Sequence, residues 1–238
     1  MDEELDRMRA AYDQLDRYAS LVAHDLQAPA RRIISFAQLL EDELGQVSQD
    51  ALDYLGYIKR GAGELADLTA ALLEFCRIEP ELGPLRDVDL EAALAGVLDE
   101  LAPEVAASGA VVESGGLPAV LATQALVRSV LRHLLTNALR HHGGTPPRVE
   151  LTALGSRASD GSPTVRLSVR DHGPGIPRGD RMRAFEPLQR LGGPPSSSSG
   201  IGLAVVQRAV HTLGGRVWFE DPPLPDNGIV VVVELPAA

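Results

Sequence analysis

The chain is short of several residues at once, and each shortage excludes something. Cys76 is the single cysteine among 238 residues, so no internal disulfide can form, and no Cys-rich spacing offers a structural zinc site. A reducing compartment fits, and Cys76 itself reads as a core residue. Lysine is as scarce. Lys59 is the only one, and no G-x-x-x-x-G-K-[ST] segment exists, which rules out a Walker A phosphate loop. Any nucleotide must be held by another design. No apolar run approaches the roughly 18 to 20 residues that a membrane span needs. The acidic start MDEELDRMRA is neither a signal peptide nor a basic anchor, so a cytoplasmic location is expected. Positive charge is in deficit: the formal net charge of -11 argues against a phosphate-backbone surface and hence against nucleic acid as a partner.

What is present is ordinary for folded domains, with 45% hydrophobic and 23% charged residues. From Leu5 the apolar positions fall at Met8, Tyr12, Leu15, Ala19, Val22, Leu26, Pro29, Ile33, Phe36 and Leu40, in steps of three and four. That is the seam of a coiled coil or helix bundle. In the segment LGQVSQD, Gly45 is expected to stop this helix and Ser48 to cap the next. A second seam follows through Leu55, Ile58, Ala62, Leu65, Thr69, Leu72 and Cys76. A lone hairpin cannot enclose a core, so the pattern predicts two hairpins forming a four-helix bundle in a homodimer.

RIEPELGPLRDVDL, with its prolines, glycine and mixed charge, marks a linker. The expected division is residues 1–79 for the helical hairpin, 80–86 for the linker and 87–238 for a second domain. That domain reads as a helix over 90–107, a strand near AVVE, a helix over 123–141, and strands RVELTAL and TVRLSVRD about the turn GSRASDGS. A helix in GIGLAVVQRAVHTLG and strands GRVWFE and GIVVVVEL complete it. The predicted fold is an α+β sandwich, one sheet covered by helices. Trp218, the only tryptophan, alternates with apolar neighbours and is expected in the core.

Four clusters carry possible chemistry. In AHDLQAP, His24 lies roughly 200° around the helix from Val22 and from Leu26, so it points away from the seam. Asp25 can hold one ring nitrogen as N–H only if the roughly 100° between adjacent helical side chains is bridged, and Pro29, which removes a backbone N–H and clashes with the carbonyl of residue 25, is expected to bend the helix at the histidine. In LRHLLTNALRHHGG, Asn137 is a polar residue inside an apolar helix and needs partners; a metal-bound phosphate and a backbone group are both available readings. In DHGPGIP, Asp171 ends a strand and can accept a hydrogen bond from a base amine, while Gly173 and Gly175 permit backbone approach. In SSSSGIGLAVV, Gly200 and Gly202 precede a helix whose free N–H groups suit an anion. His141, His142 and His172 have no carboxylate or thiolate spacing that makes a transition-metal site.

Taken in order, these clusters resemble the H, N, G1 and G2 boxes of the sensor histidine kinases, and HDLQAP is most similar to the H box of the phytochrome-type bacterial enzymes. RAFEPLQRL, residues 183–191, resembles the F box, and GGPPSSSSG resembles a short lid. The resemblance spans nearly the whole chain. It implies a dimerising phosphoacceptor hairpin followed by an ATP-binding domain of the gyrase, Hsp90, histidine kinase and MutL type. His24 would receive the γ-phosphoryl group with Asp25 as its acid–base partner. Asn137 would hold Mg²⁺ against ATP, and Arg140 and His141 would lie near the nucleotide. Asp171 would bind the adenine amine between Gly173 and Gly175, and Gly200, Gly202 and Leu203 would close on the phosphates. The partner would be a response regulator receiving phosphate on an aspartate, and the sensor domain of such a protein is not in this chain.

The sequence departs from the family pattern in three places. His133 stands four residues before Asn137, where these kinases commonly have Asn and their ATPase relatives the Glu that activates water; imidazole is a softer ligand than Mg²⁺ prefers. Ser198 replaces the first glycine of the G2 box. Ala28 replaces the Thr or Asn that orients water for dephosphorylation of the partner. The first two departures motivate one alternative to kinase action, a response-regulator phosphatase with weak kinase activity, against which Ala28 counts; a dimeric docking scaffold without chemistry is the other alternative.

Overall fold

The computed structural model describes residues 2–43, 48–78, 83–189, 200–223 and 227–238, with side chains from residue 19 onward except at 20, 21, 25 and 43. Gly45 and Ser198 lie outside the described residues. The described residues form two compact units, one from the start of the chain to Arg77 together with Gly200 and Ile201, the other from Ile78 onward without those two residues.

The first unit contains the helical hairpin of α1 (Asp2–Glu43) and α2 (Gln49–Arg77), and α1 runs through Pro29 without interruption. Ser48 caps α2, its Oγ accepting from the Ala51 N–H at 3.3 Å. The buried stripe of α1 is made of small residues, Ala23, Ala30 and Ala37, spaced by seven. Leu55, Ala62, Thr69 and Cys76 repeat at the same interval on α2. A heptad spacing keeps such a stripe on one side of a supercoiled pair, and alanine lets two helices approach closely. Thr69 is tolerated in this stripe because its hydroxyl donates to the carbonyls of Leu65 and Ala66, each at 2.9 Å. Of the α1 seam read from the sequence, Val22, Leu26, Ile33, Phe36 and Leu40 are exposed, Phe36 to 68%. On α2, Ile58 is exposed as well. The large apolar residues of α1 therefore form a second stripe, adjacent to the alanines and uncovered in the single chain.

The second unit opens with β1 (Arg86–Asp89), then α3 (Leu90–Glu100) and α4 (Ala102–Ser108). The helix read over 90–107 is thus two. Pro103 lacks an N–H and its ring opposes the carbonyl one turn back, so α3 ends at Leu101 and α4 restarts with proline in its first turn. Next come β2 (Val111–Ser114), β3 (Ala119–Ala122), α5 (Gln124–Arg140), β4 (Arg148–Arg157), β5 (Pro163–Asp171), α6 (Gly202–Thr212), β6 (Arg216–Glu220) and β7 (Ile229–Pro236). β1 and β3, neither of which the sequence pattern revealed, pair antiparallel as a separate ribbon.

The main sheet has the order β2-β4-β5-β7-β6, parallel only between β2 and β4. Period-two alternation divides its central strands by face. Val165, Leu167 and Val169 of β5 lie in register with Leu235, Val233 and Val231 of β7. These residues form the core with Leu131, Leu134 and Leu135 of α5 and Val205, Val206 and Ala209 of α6, all buried. The opposite face carries the row Arg166, Glu234 and Arg216, in which Glu234 accepts from both guanidinium groups, at 3.2 Å from Arg166 Nε and 2.7 Å from Arg216. Burial would raise the pKa of Glu234, but the hydrogen bonds and charges of Arg216 and Arg166 hold it below the usual carboxylate value.

Trp218 belongs to this polar face, which corrects its expected place in the core. It pairs with Val232 beside that row, lies 5.1 Å from the Arg166 guanidinium and donates its indole N–H to Glu220 at 2.8 Å. The aromatic residue on the helix-covered side of β6 is its neighbour Phe219, stacked on Phe185 with ring centroids 4.7 Å apart.

Candidate nucleotide site

The site is built around the C-terminal turns of α5. Thr123 starts this helix, its Oγ1 accepting from the Leu126 N–H, and the apolar face formed by Leu131, Leu134, Leu135 and Ala138 fixes its rotation. The half-buried His133 and Asn137, one turn apart, then share the side that meets α6. Their position is reported by Gly202, the first residue of α6. A Cβ there would lie 3.2 Å from His133 Nδ1 and 3.6 Å from Asn137 Oδ1. Glycine at this place lets the N-terminus of α6 stand against both polar side chains, and a helix start is an end that suits anions. Leu203 follows, half-buried, and Gly200 adopts φ +67°, a conformation that other residues enter at a cost.

The same helix end holds the loop after β5. The His141 N–H closes on the Asn137 carbonyl at 3.0 Å, and the His141 carbonyl abuts Gly173 so closely that a Cβ there would be 2.3 Å away. The Gly173 N–H donates to Asp171 Oδ1 at 2.9 Å, fixing the carboxyl at the strand end. Asp171 pairs in register with Val149 on one side and Ile229 on the other, so its side chain lies on the helix-covered face, half-buried. Desolvation raises its pKa, against the opposing pull of the Gly173 hydrogen bond, the His172 charge and the Ile229 backbone. Gly175, at φ +75°, packs on Gly228, whose carbonyl would be 2.7 Å from an added Cβ.

Gly228 is a site residue that sequence reasoning missed. At φ +110° it lies under the loop, and a Cβ on it would fall 1.9 Å from the Asp171 carbonyl oxygen. The available signal was the Asn-Gly pair before a strand, a turn marker without chemical content. Past the loop, Arg181 bonds the Ile176 carbonyl at 3.1 Å and, together with Arg178, holds Asp221 at the end of β6.

Of the expected site residues, the structure brings together Asn137, Gly202 and Leu203 at one end of α5 and Asp171, Gly173 and Gly175 at its last turn. His141 is the C-cap of α5. Although exposed, its ring is partly desolvated, and this, with the Arg140 charge, lowers its pKa and favours neutral imidazole. Arg140 is exposed on the same turn. His24 belongs to the other unit, where its side chain is exposed on α1 beside the buried Ala23. Asp25 is on α1, and its side chain lies outside the described residues.

A mixed sheet with a carboxyl at one strand end, glycine turns around it, and a polar helix face against a glycine-led helix define an ATP-binding domain of the gyrase, Hsp90 and histidine kinase class. Residues 122–238 match the family model described as histidine kinase-, DNA gyrase B- and HSP90-like ATPase. The adaptive-response sensory kinase SasA of Synechococcus is 34% identical over 92% of this chain and 55% of its own length. The phytochrome-like protein Cph1 of Synechocystis is 27% identical over 88% of this chain, which spans only 28% of Cph1. Among solved structures, full-length ShkA in complex with AMPPNP superposes with a TM-score of 0.66 and 26% identity, over 93% of this chain and 46% of that one. Histidine kinase ThkA in complex with response regulator TrrA has the same fold, with a TM-score of 0.66 at 21% identity, over 99% and 66% of the two chains. Residues 122–238 are thus an ATP-binding domain of this family, and the chain is similar over most of its length to the catalytic region of sensor histidine kinases, although it spans only part of the length of these relatives. Among the described residues, no helix is long and apolar enough to cross a membrane.

Proposed function

We propose that this chain is an ATP-dependent protein-histidine kinase that phosphorylates itself on His24 and passes the phosphoryl group to an aspartate of a response regulator. One observation carries the reading most directly: Gly202 is seated against Asn137 and His133 while Asp171 is fixed by Gly173 at the other end of the same helical turn. A half-buried carboxyl at one end and a metal-suited amide beside free helix N–H groups at the other match the two ends of a nucleotide. The residues present therefore fit Mg²⁺·ATP.

Asp171 accepts the adenine amine, and Gly173 and Gly175 keep the loop backbone close enough for the base to enter. Asn137 offers its amide oxygen to the metal, and the first turn of α6 offers N–H groups to phosphate oxygens. Bound Mg²⁺·ATP supplies the phosphoryl group and the charge neutralisation that phosphoryl transfer requires. His24, exposed on α1, would attack the γ-phosphorus through a ring nitrogen, the P–N bond forming as the bond to the β,γ-bridging oxygen breaks and ADP leaves, with Asp25 as the acid–base partner. The absence of a Glu at position 133 leaves no carboxylate there to activate water, in keeping with transfer to histidine rather than hydrolysis.

The uncovered apolar stripe of α1 supports a second copy of this chain as partner, giving a four-helix homodimer. The ThkA–TrrA complex supports a response regulator as the protein substrate.

Incubation with Mg²⁺ and γ-labelled ATP, followed by addition of phosphorylated or unphosphorylated candidate regulators, tests the reading. Acid-labile label on the wild type, absent from His24→Ala and transferred to a regulator, is expected. Accelerated dephosphorylation of a regulator without self-labelling would make the chain a phosphatase instead. Regulator docking without nucleotide binding would make it a scaffold.

A further inference from the structure

One position that departs from the family pattern, His133, stands beside the proposed metal-binding amide of Asn137. His133 Nδ1 and Asn137 Oδ1 are turned to the same side of α5 and lie 3.2 Å and 3.6 Å from a single point, the place a Cβ of Gly202 would occupy. The pair is half-buried, one helical turn apart, and faces the helix end assigned above to the phosphates. An amide oxygen alone is a hard donor suited to Mg²⁺. An imidazole nitrogen beside it changes the donor set to mixed nitrogen and oxygen, which favours first-row transition ions in the order of the Irving–Williams series. Among the described residues no group of three or more His, Cys, Asp and Glu side chains could hold a metal ion. Phosphate oxygens and water would complete the coordination beside these two side chains, of which His133 alone brings a nitrogen.

We propose that His133 is a specificity-determining residue that directs this site toward a first-row transition-metal nucleotide complex, Mn²⁺ or Co²⁺, over the Mg²⁺ complex. The inference rests on the nucleotide-site reading above and goes beyond it in assigning the metal. His133 acts by placing a ring nitrogen on the nucleotide-borne ion, whereas Asn137 supplies an oxygen common to every divalent ion. The two side chains are spaced by one helical turn on the face toward Gly202, and replacing the imidazole with an amide oxygen removes the preference among the ions.

The test uses the whole chain and a non-hydrolysable analogue with a carbon bridge, AMPPCP, so that no nitrogen sits near the metal except from the protein. Binding is measured calorimetrically with Mg²⁺, Mn²⁺ and Co²⁺ for the wild type and His133→Asn. The expected result is a rise in affinity from Mg²⁺ to Mn²⁺ to Co²⁺ that exceeds the rise in His133→Asn by about tenfold or more. In parallel, pulsed electron paramagnetic resonance on the Mn²⁺ complex of ¹⁵N-histidine-labelled protein should show coupling to a directly bonded nitrogen, lost in His133→Asn. Nucleotide binding with equal metal ratios in both proteins and no nitrogen coupling overturns the assignment of His133 and leaves the site standing. No nucleotide binding with any of the three ions overturns the site as well.

Discussion

Asp171 and Gly228 show how much a single residue does in this site. Burial makes the folded chain hold the Asp171 proton more tightly than the unfolded chain does. The stability this gives is fully present below the unfolded pKa and is lost as pH rises through the folded one. Asp171→Asn abolishes the titration while keeping an oxygen for the Gly173 N–H. The melting temperature of the variant relative to wild type should therefore climb as pH rises from below the ordinary carboxylate value through the raised folded one, while its affinity for nucleotide falls. A melting-temperature difference that stays flat with pH contradicts the assigned burial. At Gly228 the constraint is steric. Gly228→Ala should cost about 3 kcal/mol or more in chemical denaturation, because its Cβ meets the backbone of Asp171. Gly161→Ala is the control: its φ is +86° but nothing lies within 4 Å, and it should cost about 1 kcal/mol.

At the scale of the element, α1 carries two stripes with different work. The alanines at 23, 30 and 37 are buried, and the larger residues at 22, 26, 33, 36 and 40 are not. Heptad periodicity identified the larger stripe from the sequence, since hydrophobicity dominates any such reading, and it overlooked the alanines because their apolar surface is small. The two stripes make separate predictions. Ile33→Glu with Phe36→Glu places charge on the uncovered stripe, and sedimentation should show monomers that keep full helix content by circular dichroism. Ala30→Leu overfills the buried stripe and should lower helix content and stability first. Monomers from both, or from neither, would mean that the larger stripe is not where two copies meet. The other misreadings were equally local. A single proline divided α3 from α4, and a one-residue difference in strand phase put Phe219 rather than Trp218 beneath the helices.

Across the whole molecule, the sheet, its covering helices and the paired hairpin helices were legible because their periodicities extend over many residues. β1 and β3 were not, since four-residue strands in RDVD and AVLA carry too little alternation to stand out. The site was legible as a set of motifs in order, from Asn137 through Asp171 to Gly202. Its assembly was not: nothing in the spacing told that Gly202 would rest on His133, or that Gly228 would underlie Asp171, because both contacts join segments far apart in the chain. The proposed transfer to His24 is the one step that needs both the hairpin and the nucleotide-binding fold. The most direct measurement is therefore to incubate the chain with Mn²⁺ or Mg²⁺ and ATP, digest it at neutral pH and map the phosphoryl group by mass spectrometry. Phosphohistidine is expected in the peptide bearing His24 and none when Asp171 is changed to Asn; phosphate on any other residue, or on none with nucleotide bound, would contradict the proposed kinase reaction.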